Sequence, residues 1–343
     1  MTPVGPIVAG APGPVDWIAA AQGLLREHQR AVLTMLTEER GSTPRGTGTW
    51  MLVSSTASLG TLGGGELERM VAEAAQAMLS DQGGWQRSTL RCVLGPDLNQ
   101  CCGGAVAVTL EPLDRTTLTW LSRAAEAACG DTPTAVLFDI TEPGRRPEVI
   151  RLPDNLVSIG EVHLQPLVDD RPRVFLFGAG HVGRSVATIA GQLPLRLTVL
   201  DSRQPMRSLI PRSDNVTVID LADPQAEICG IAAGSAALVM THSHELDYSL
   251  CRALLANNGL NFIGLIGSRS KAKRFRRRLV DDGVPASTLT RLISPIGQSG
   301  PNGKEPGVIA LAALAEVLSA LKGSRTEDKT EPNDQDNPHL QHL

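Results

Sequence analysis

Arg173-Val-Phe-Leu-Phe177 runs without interruption into Gly178-Ala-Gly180-His-Val-Gly183, and Leu197-Thr-Val-Leu-Asp201 follows after one helix length. A strand-length apolar run, three glycines at G-x-G-x-x-G spacing, a helical pattern and a second strand ending in an acid form a βαβ unit. In dinucleotide folds the first glycine permits the tight turn and the second lets a phosphate approach the backbone. The third packs helix against strand, and the acid binds ribose hydroxyls. Gly178, Gly180, His181, Gly183 and Asp201 are therefore candidate binding residues. The same turn also occurs in doubly wound domains that bind no nucleotide, and it does not by itself make a dehydrogenase.

Outward from this unit the pattern repeats. Apolar strands at 216–219, 236–240 and 261–266 alternate with helices near 245–257, 269–281 and 305–321, with a shorter helix or turn near 223–230. Such alternation predicts a parallel sheet covered on both faces. The predicted fold class is α/β: a C-terminal Rossmann-like doubly wound sheet over 173–322, plus an N-terminal α+β domain over 15–168. The polar, proline-bearing 169–172 is the expected linker. In the N-terminal part, Asp16 is placed to cap a helix reaching about His28, and short strands alternate irregularly with helices near 67–79 and 118–129. Residues 1–14 carry four prolines and read as a flexible leader, and the polar 323–343 as a disordered tail.

Composition narrows the function classes. Hydrophobic residues make up 42 %, charged residues 20 % and aromatics 3 % of 343 residues, so Ala, Val and Leu must fill the cores. With 32 basic and 36 acidic side chains the formal charge is −4, and general attraction to nucleic acid is not expected. No apolar run reaches the ~18 residues of a membrane span, and no secretory signal pattern opens the chain. Six cysteines without a C-x-x-C pair suit a cytoplasmic protein with reduced thiols.

Further motifs carry chemistry-bearing residues. Met240-Thr-His242-Ser-His244-Glu-Leu-Asp247 lies where the fourth C-terminal strand gives way to a helix. His242, His244 and Asp247 could contact a ligand there, or chelate a transition metal, or serve only as caps and backbone partners. Gly63, Gly64, Gly65 and Glu66 open a helix and offer a second anion cradle, or merely a close-packed helix end. Cys101 and Cys102 form a vicinal thiol pair ahead of Gly103-Gly104. They could act as soft, reactive thiolates able to carry persulfide sulfur, or be small buried side chains. Lys304 follows a glycine-rich loop at the start of the last helix. Seven of the ten residues from Arg269 to Arg278 are Lys or Arg, a density that reads first as a solvated helix face.

Gly41-Ser-Thr-Pro-Arg45, Gly60-Thr-Leu-Gly-Gly-Gly-Glu66, Cys101-Cys-Gly-Gly104, Gly178–Gly183, Thr241–Asp247, Gly264-Leu-Ile-Gly-Ser-Arg269 and Gly303-Lys-Glu-Pro306 occur in this order. Together they resemble the XdhC/CoxI family of xanthine dehydrogenase accessory proteins over about residues 16 to 322. The resemblance implies a cytoplasmic chaperone without turnover of its own. Such a chaperone binds the molybdenum cofactor, as molybdopterin or its nucleotide form. It protects the cofactor while a cysteine desulfurase supplies the sulfido ligand, and delivers it to an apo xanthine dehydrogenase-like molybdoenzyme. Membrane and nucleic acid are not implied as partners; a homodimer is compatible. Relatives often carry a cysteine ahead of the proline in Ser294-Pro-Ile-Gly297, where this chain has Ser294.

The competing reading is an NAD(P)-dependent oxidoreductase, suggested by the glycine turn with Asp201. No Tyr-x-x-x-Lys dyad accompanies it, because Tyr248 is the only tyrosine and Arg252 stands four positions later. A third reading is a binding module whose partner recognises the basic helix.

Overall fold

The computed structural model describes residues 12–81, 86–95, 103–130, 132–152, 162–301 and 303–326, with side chains as far as 321. The chain divides into two compact units between Asp170 and Arg171.

The first unit opens with the helix Asp16–Glu27, which buries Trp17, Ile18, Ala21, Leu24 and Leu25 at helical spacing. Asp16 is its first residue rather than its cap; the carboxylate accepts a hydrogen bond from the Gly13 amide. Strands β1 (Arg30–Arg40), β2 (Trp50–Val53), β3 (Ser58–Gly60), β4 (Ser88–Val93) and β5 (Ala105–Asp114) form an antiparallel sheet in the order β3-β2-β1-β5-β4. β1 is apolar on both faces. Ala31, Leu33 and Met35 meet the helices Asp16–Glu27 and Leu118–Ala128, while Val32 and Leu36 meet the helix Gly65–Ser80. A sheet covered on both sides explains why this strand reads as a continuous hydrophobic run. β6 (Thr134–Asp139), β7 (Glu148–Arg151) and β8 (Val162–Pro166) make a separate antiparallel sheet ordered β7-β6-β8.

This unit buries ionisable groups. The Arg87 guanidinium donates to Glu111 at 2.7 Å, both side chains being almost fully enclosed. His163 lies 6.1 Å from the Phe138 ring centre, and its Nε2 is buried without a partner among the described residues. Burial pushes the imidazole down to about 4 from the usual 6.5, against the hydrogen bond with Gln165. As pH falls through that window, the unfolded chain takes up a proton that the folded unit refuses. Stability present above pH 6.5 is therefore lost toward pH 4, by about 3 kcal/mol at the lower end. His163→Phe is expected to flatten this part of the pH dependence in urea unfolding curves. An unchanged slope would remove His163 from the explanation.

In the second unit β9 (Arg173–Phe177), β10 (Arg196–Asp201), β11 (Val216–Asp220), β12 (Ala236–Val239), β13 (Phe262–Leu265) and β14 (Leu292–Ile293) form one wholly parallel sheet. Its order is β11-β10-β9-β12-β13-β14. Counted within the unit this is 3-2-1-4-5-6, the order of dinucleotide-binding folds. The helices His181–Ala190 and Pro306–Thr326 cover one face, and Pro224–Cys229, His244–Ala256 and Arg269–Asp281 the other. The predicted class, a Rossmann-like parallel sheet plus an N-terminal α+β domain, is the observed one. The final helix continues to Thr326, into the stretch expected to be disordered from 323, because an established helix extends at little cost per residue.

Candidate functional site

The strand order places the switch point between β9 and β12, the neighbouring strands from which the chain winds in opposite directions. The loops leaving their carboxyl ends, Gly178–Gly183 and Met240–Ser243, meet there. A Cβ on Gly178, whose φ is +121°, would stand 2.3 Å from the Met240 carbonyl oxygen. A Cβ on Gly183 would stand 2.1 Å from the Gly178 carbonyl oxygen. Gly180 differs: nothing lies within 4 Å of its Cβ position. The first and third glycines are required by packing, and the second borders open space. Gly180 also precedes the helix His181–Ala190 with no side chain capping it, so the first-turn N–H groups are available to an anion.

Two carboxylates brace this end of the sheet. Asp201, at the end of β10, accepts from the Ala179 amide at 2.7 Å and from the Arg203 amide at 2.9 Å. It also receives the Arg203 guanidinium side-on, through Nε at 2.9 Å and Nη2 at 2.7 Å. Burial works against its charge, but the bonds from Arg203 and Ala179 prevail and hold it at about 2. Asp247 is buried as well. Its Oδ1 accepts from the Thr241 amide at 3.0 Å and hydroxyl at 2.7 Å, and its Oδ2 pairs with the Lys271 ammonium. Lys271 also donates to the Ile266 carbonyl at 3.1 Å.

His181, His242 and His244 are exposed around the switch point, and the His244 Nδ1 lies 3.4 Å from the Arg274 guanidinium. The chelate envisaged for His242, His244 and Asp247 does not assemble, because Asp247 turns inward to Thr241 and Lys271. Among the described residues no three His, Cys, Asp or Glu side chains gather to hold a metal ion. Lys304 is exposed just ahead of the helix that packs beside His181–Ala190. Ser294 has a buried hydroxyl without a partner among the described residues.

The basic helix is less free than a solvated face. Lys271 is buried, Arg276 donates to the Leu289 and Leu292 carbonyls, and Arg278 pairs with Glu245 while covering the Tyr248 ring at 3.8 Å. Tyr248 itself donates to Asp282 at 2.6 Å, and burial together with that bond pushes its hydroxyl up to about 12. The single tyrosine is thus a packing residue on the helix-covered face.

In the first unit, three motifs distant in sequence converge. The Gly104 amide donates to the Ser42 carbonyl at 3.1 Å, and a Cβ on Gly63 would stand 3.1 Å from the Arg45 side chain. Gly63, Gly64 and Gly65 all take positive φ, which only glycine adopts readily. The amide cradle expected there is already filled: Glu68 Oε2 accepts from the Leu62 and Gly64 amides at 3.0 Å and from the Thr61 hydroxyl. Glu66 pairs with Arg69 on the surface. A helix-start glutamate reaching back over its own turn is a cap, and sequence reading leaves Glu68 unassigned although it stands four residues after Gly64. Cys101 and Cys102 lie outside the described residues.

Comparison with known proteins agrees with this arrangement. Residues 174–317 match the model of the XdhC Rossmann domain, and residues 24–91 that of the XdhC and CoxI family. The chain is 25% identical over 294 residues to the uncharacterized protein YqeB of Escherichia coli, covering 83% of this chain and 42% of that protein. It is 29% identical over 198 residues to a Bacillus subtilis protein named as a probable xanthine dehydrogenase subunit, covering 56% of this chain and 54% of that protein. The chain thus spans about half the length of these curated relatives. The crystal structure of a protein from Bacillus halodurans, described as a xanthine dehydrogenase, shares the fold with a TM-score of 0.71 at 21% identity, covering 93% of this chain and 98% of that one. Among the described residues no helix is long and apolar enough to cross a membrane. With a matched model on each unit and a glycine turn built to the expected geometry, the chain belongs to the XdhC family.

Proposed function

We propose that this protein is a maturation factor for xanthine dehydrogenase-type molybdoenzymes. In this reading it holds the molybdenum cofactor by its phosphate at the Gly178–Gly183 turn and keeps it while a cysteine desulfurase supplies the sulfido ligand. It then passes the cofactor to the apo-enzyme in the cytoplasm. The observation that carries the reading is the open space at Gly180 beside uncapped helix amides. A pterin phosphate, alone or extended to a nucleotide pyrophosphate, needs backbone donors and the absence of a Cβ at closest approach. His181, His242 and His244 can donate to the same ligand from the rim. The cofactor would supply the oxygen-transfer centre of the client enzyme, and this chain's residues bind and shield it. An oxidoreductase is less well supported. The single tyrosine is committed to Asp282, and Asp201 is committed to Arg203.

The protein purified from a host that makes the cofactor is expected to carry molybdenum and oxidisable pterin in comparable amounts, without xanthine oxidation of its own. Deleting its gene is expected to leave the client assembled but inactive. A fully active client in the deletion strain would refute the maturation role. Recovery of this chain as a stoichiometric part of the active client would instead make it an integral component of that enzyme, as the name of the Bacillus subtilis relative has it.

A further inference from the structure

The carboxylate at the end of the second strand ordinarily faces the ligand and accepts from two ribose hydroxyls. Here it is drawn inward. Asp201 is 5 % exposed, and its Oδ2 is shared by the Ala179 amide of the glycine turn and by Arg203 Nη2, each at 2.7 Å. Oδ1 is taken by the Arg203 amide and Nε. Its strong acidity keeps it an acceptor at any working pH, with its acceptor sites already engaged. Arg207 adds a second guanidinium at the same strand end, donating to the Asp201 carbonyl at 2.7 Å and to Asp220 at 2.8 Å.

The guanidinium that closes over Asp201 remains open on its other side. The Arg203 side chain is 34% exposed. Side-on pairing through Nε and Nη2 leaves the Nη1 donors and one Nη2 donor directed away from the carboxylate. Since Nη2 and the Ala179 amide share one oxygen, this donor edge lies next to the turn that would carry a phosphate. A planar fork of N–H donors suits a phosphate or carboxylate and supplies no acceptor for the hydrogens of a hydroxyl pair.

We infer that Arg203, and not Asp201, is the specificity-determining residue of the Gly178–Gly183 crevice. The crevice therefore selects ligands bearing a second anionic group, a pyrophosphate or a bisphosphate, over ligands with a free ribose diol. This rests on the proposal that the crevice binds a phosphorylated ligand, and narrows its chemical class.

The test compares AMP with adenosine 2′,5′-bisphosphate, which differ by one phosphate at the ribose position that a strand-end carboxylate would occupy. Calorimetric titration of the full chain is expected to show the bisphosphate binding about 10- to 100-fold tighter, the range of a charge-assisted pair. Arg203→Gln keeps an amide donor for Asp201 without the charge and is expected to erase the preference while leaving AMP affinity within about threefold. Arg203→Ala, checked for an unchanged far-UV spectrum, should give the same result. Equal binding of the two nucleotides by the native chain, or a preference that survives in both variants, overturns the inference. Absence of binding by either nucleotide also overturns it, whereas the crevice proposal is decided separately by pterin retention in the native chain and in Gly180→Val.

Discussion

Asp247→Ala is expected to cost the second unit about 3–5 kcal/mol, the usual penalty for leaving one partner of a buried ion pair without its counter-charge. The Lys271 and Asp247 side chains are 10% and 1% exposed, so water cannot replace the lost carboxylate. The Thr241 amide and hydroxyl lose their acceptor in the same step. For a unit of this size the thermal midpoint should fall on the order of 10 °C. Asp247→Leu combined with Lys271→Met should recover much of the loss, since an apolar pair removes both charges. Equilibrium unfolding of Asp247→Leu, of Lys271→Met and of their combination closes the cycle. If Asp247→Ala lowers stability by under about 1 kcal/mol while ligand retention collapses, Asp247 is a ligand contact and its role as a brace is wrong.

That outcome turns on a feature which sequence reading reaches only in part. The strand, the three glycines and the acid are legible because their spacing is local, and local spacing encodes turn, helix and strand directly. The neighbour of β9 on its other side is not legible, because strand order depends on pairing between residues far apart in the chain. Hence the meeting of Gly178 with Met240 emerges only from the structure. Lys271 is hidden inside a run of seven basic residues, yet Phe275 and Leu279 follow it at four-residue steps and all three lie on the buried stripe. The period carries the signal, and the density of charge masks it. Gly267 carries a second trace of the same pair: a Cβ there would stand 2.6 Å from the Lys271 side chain. At Asp201 the acid stands where the spacing predicts, but its partner only two residues on is not foreseeable. A bidentate pair so close in sequence depends on a backbone bend that composition does not encode. β7 escapes the pattern because only Val149 and Ile150 are apolar between its charged end residues, too short a signal.

Substitutions within one six-residue turn should separate folding from binding. Gly178→Ala and Gly183→Ala each drive a Cβ into a backbone carbonyl, at 2.3 and 2.1 Å, and neither carbonyl can swing aside without breaking the turn. Gly178 also has a positive φ that alanine rarely adopts. Each is expected to cost more than about 4 kcal/mol, the upper end of single-residue effects, and to yield little folded second unit. Gly180→Val is expected to behave oppositely. Its φ of −71° and ψ of −167° suit any residue, and its Cβ meets no atom, so the far-UV spectrum should be unchanged and stability should shift by under about 1 kcal/mol. A branched side chain would then fill the space through which a phosphate must approach. Retained molybdenum and pterin should fall at least tenfold relative to the native chain purified in parallel, a loss of about 1.4 kcal/mol or more in binding. The position is diagnostic because stability and retention are predicted to separate. A Gly180→Val protein that folds and keeps its cofactor would mean the turn is structural only, leaving the converging loops around Gly41–Arg45 and Gly104 as the place to look for the cofactor.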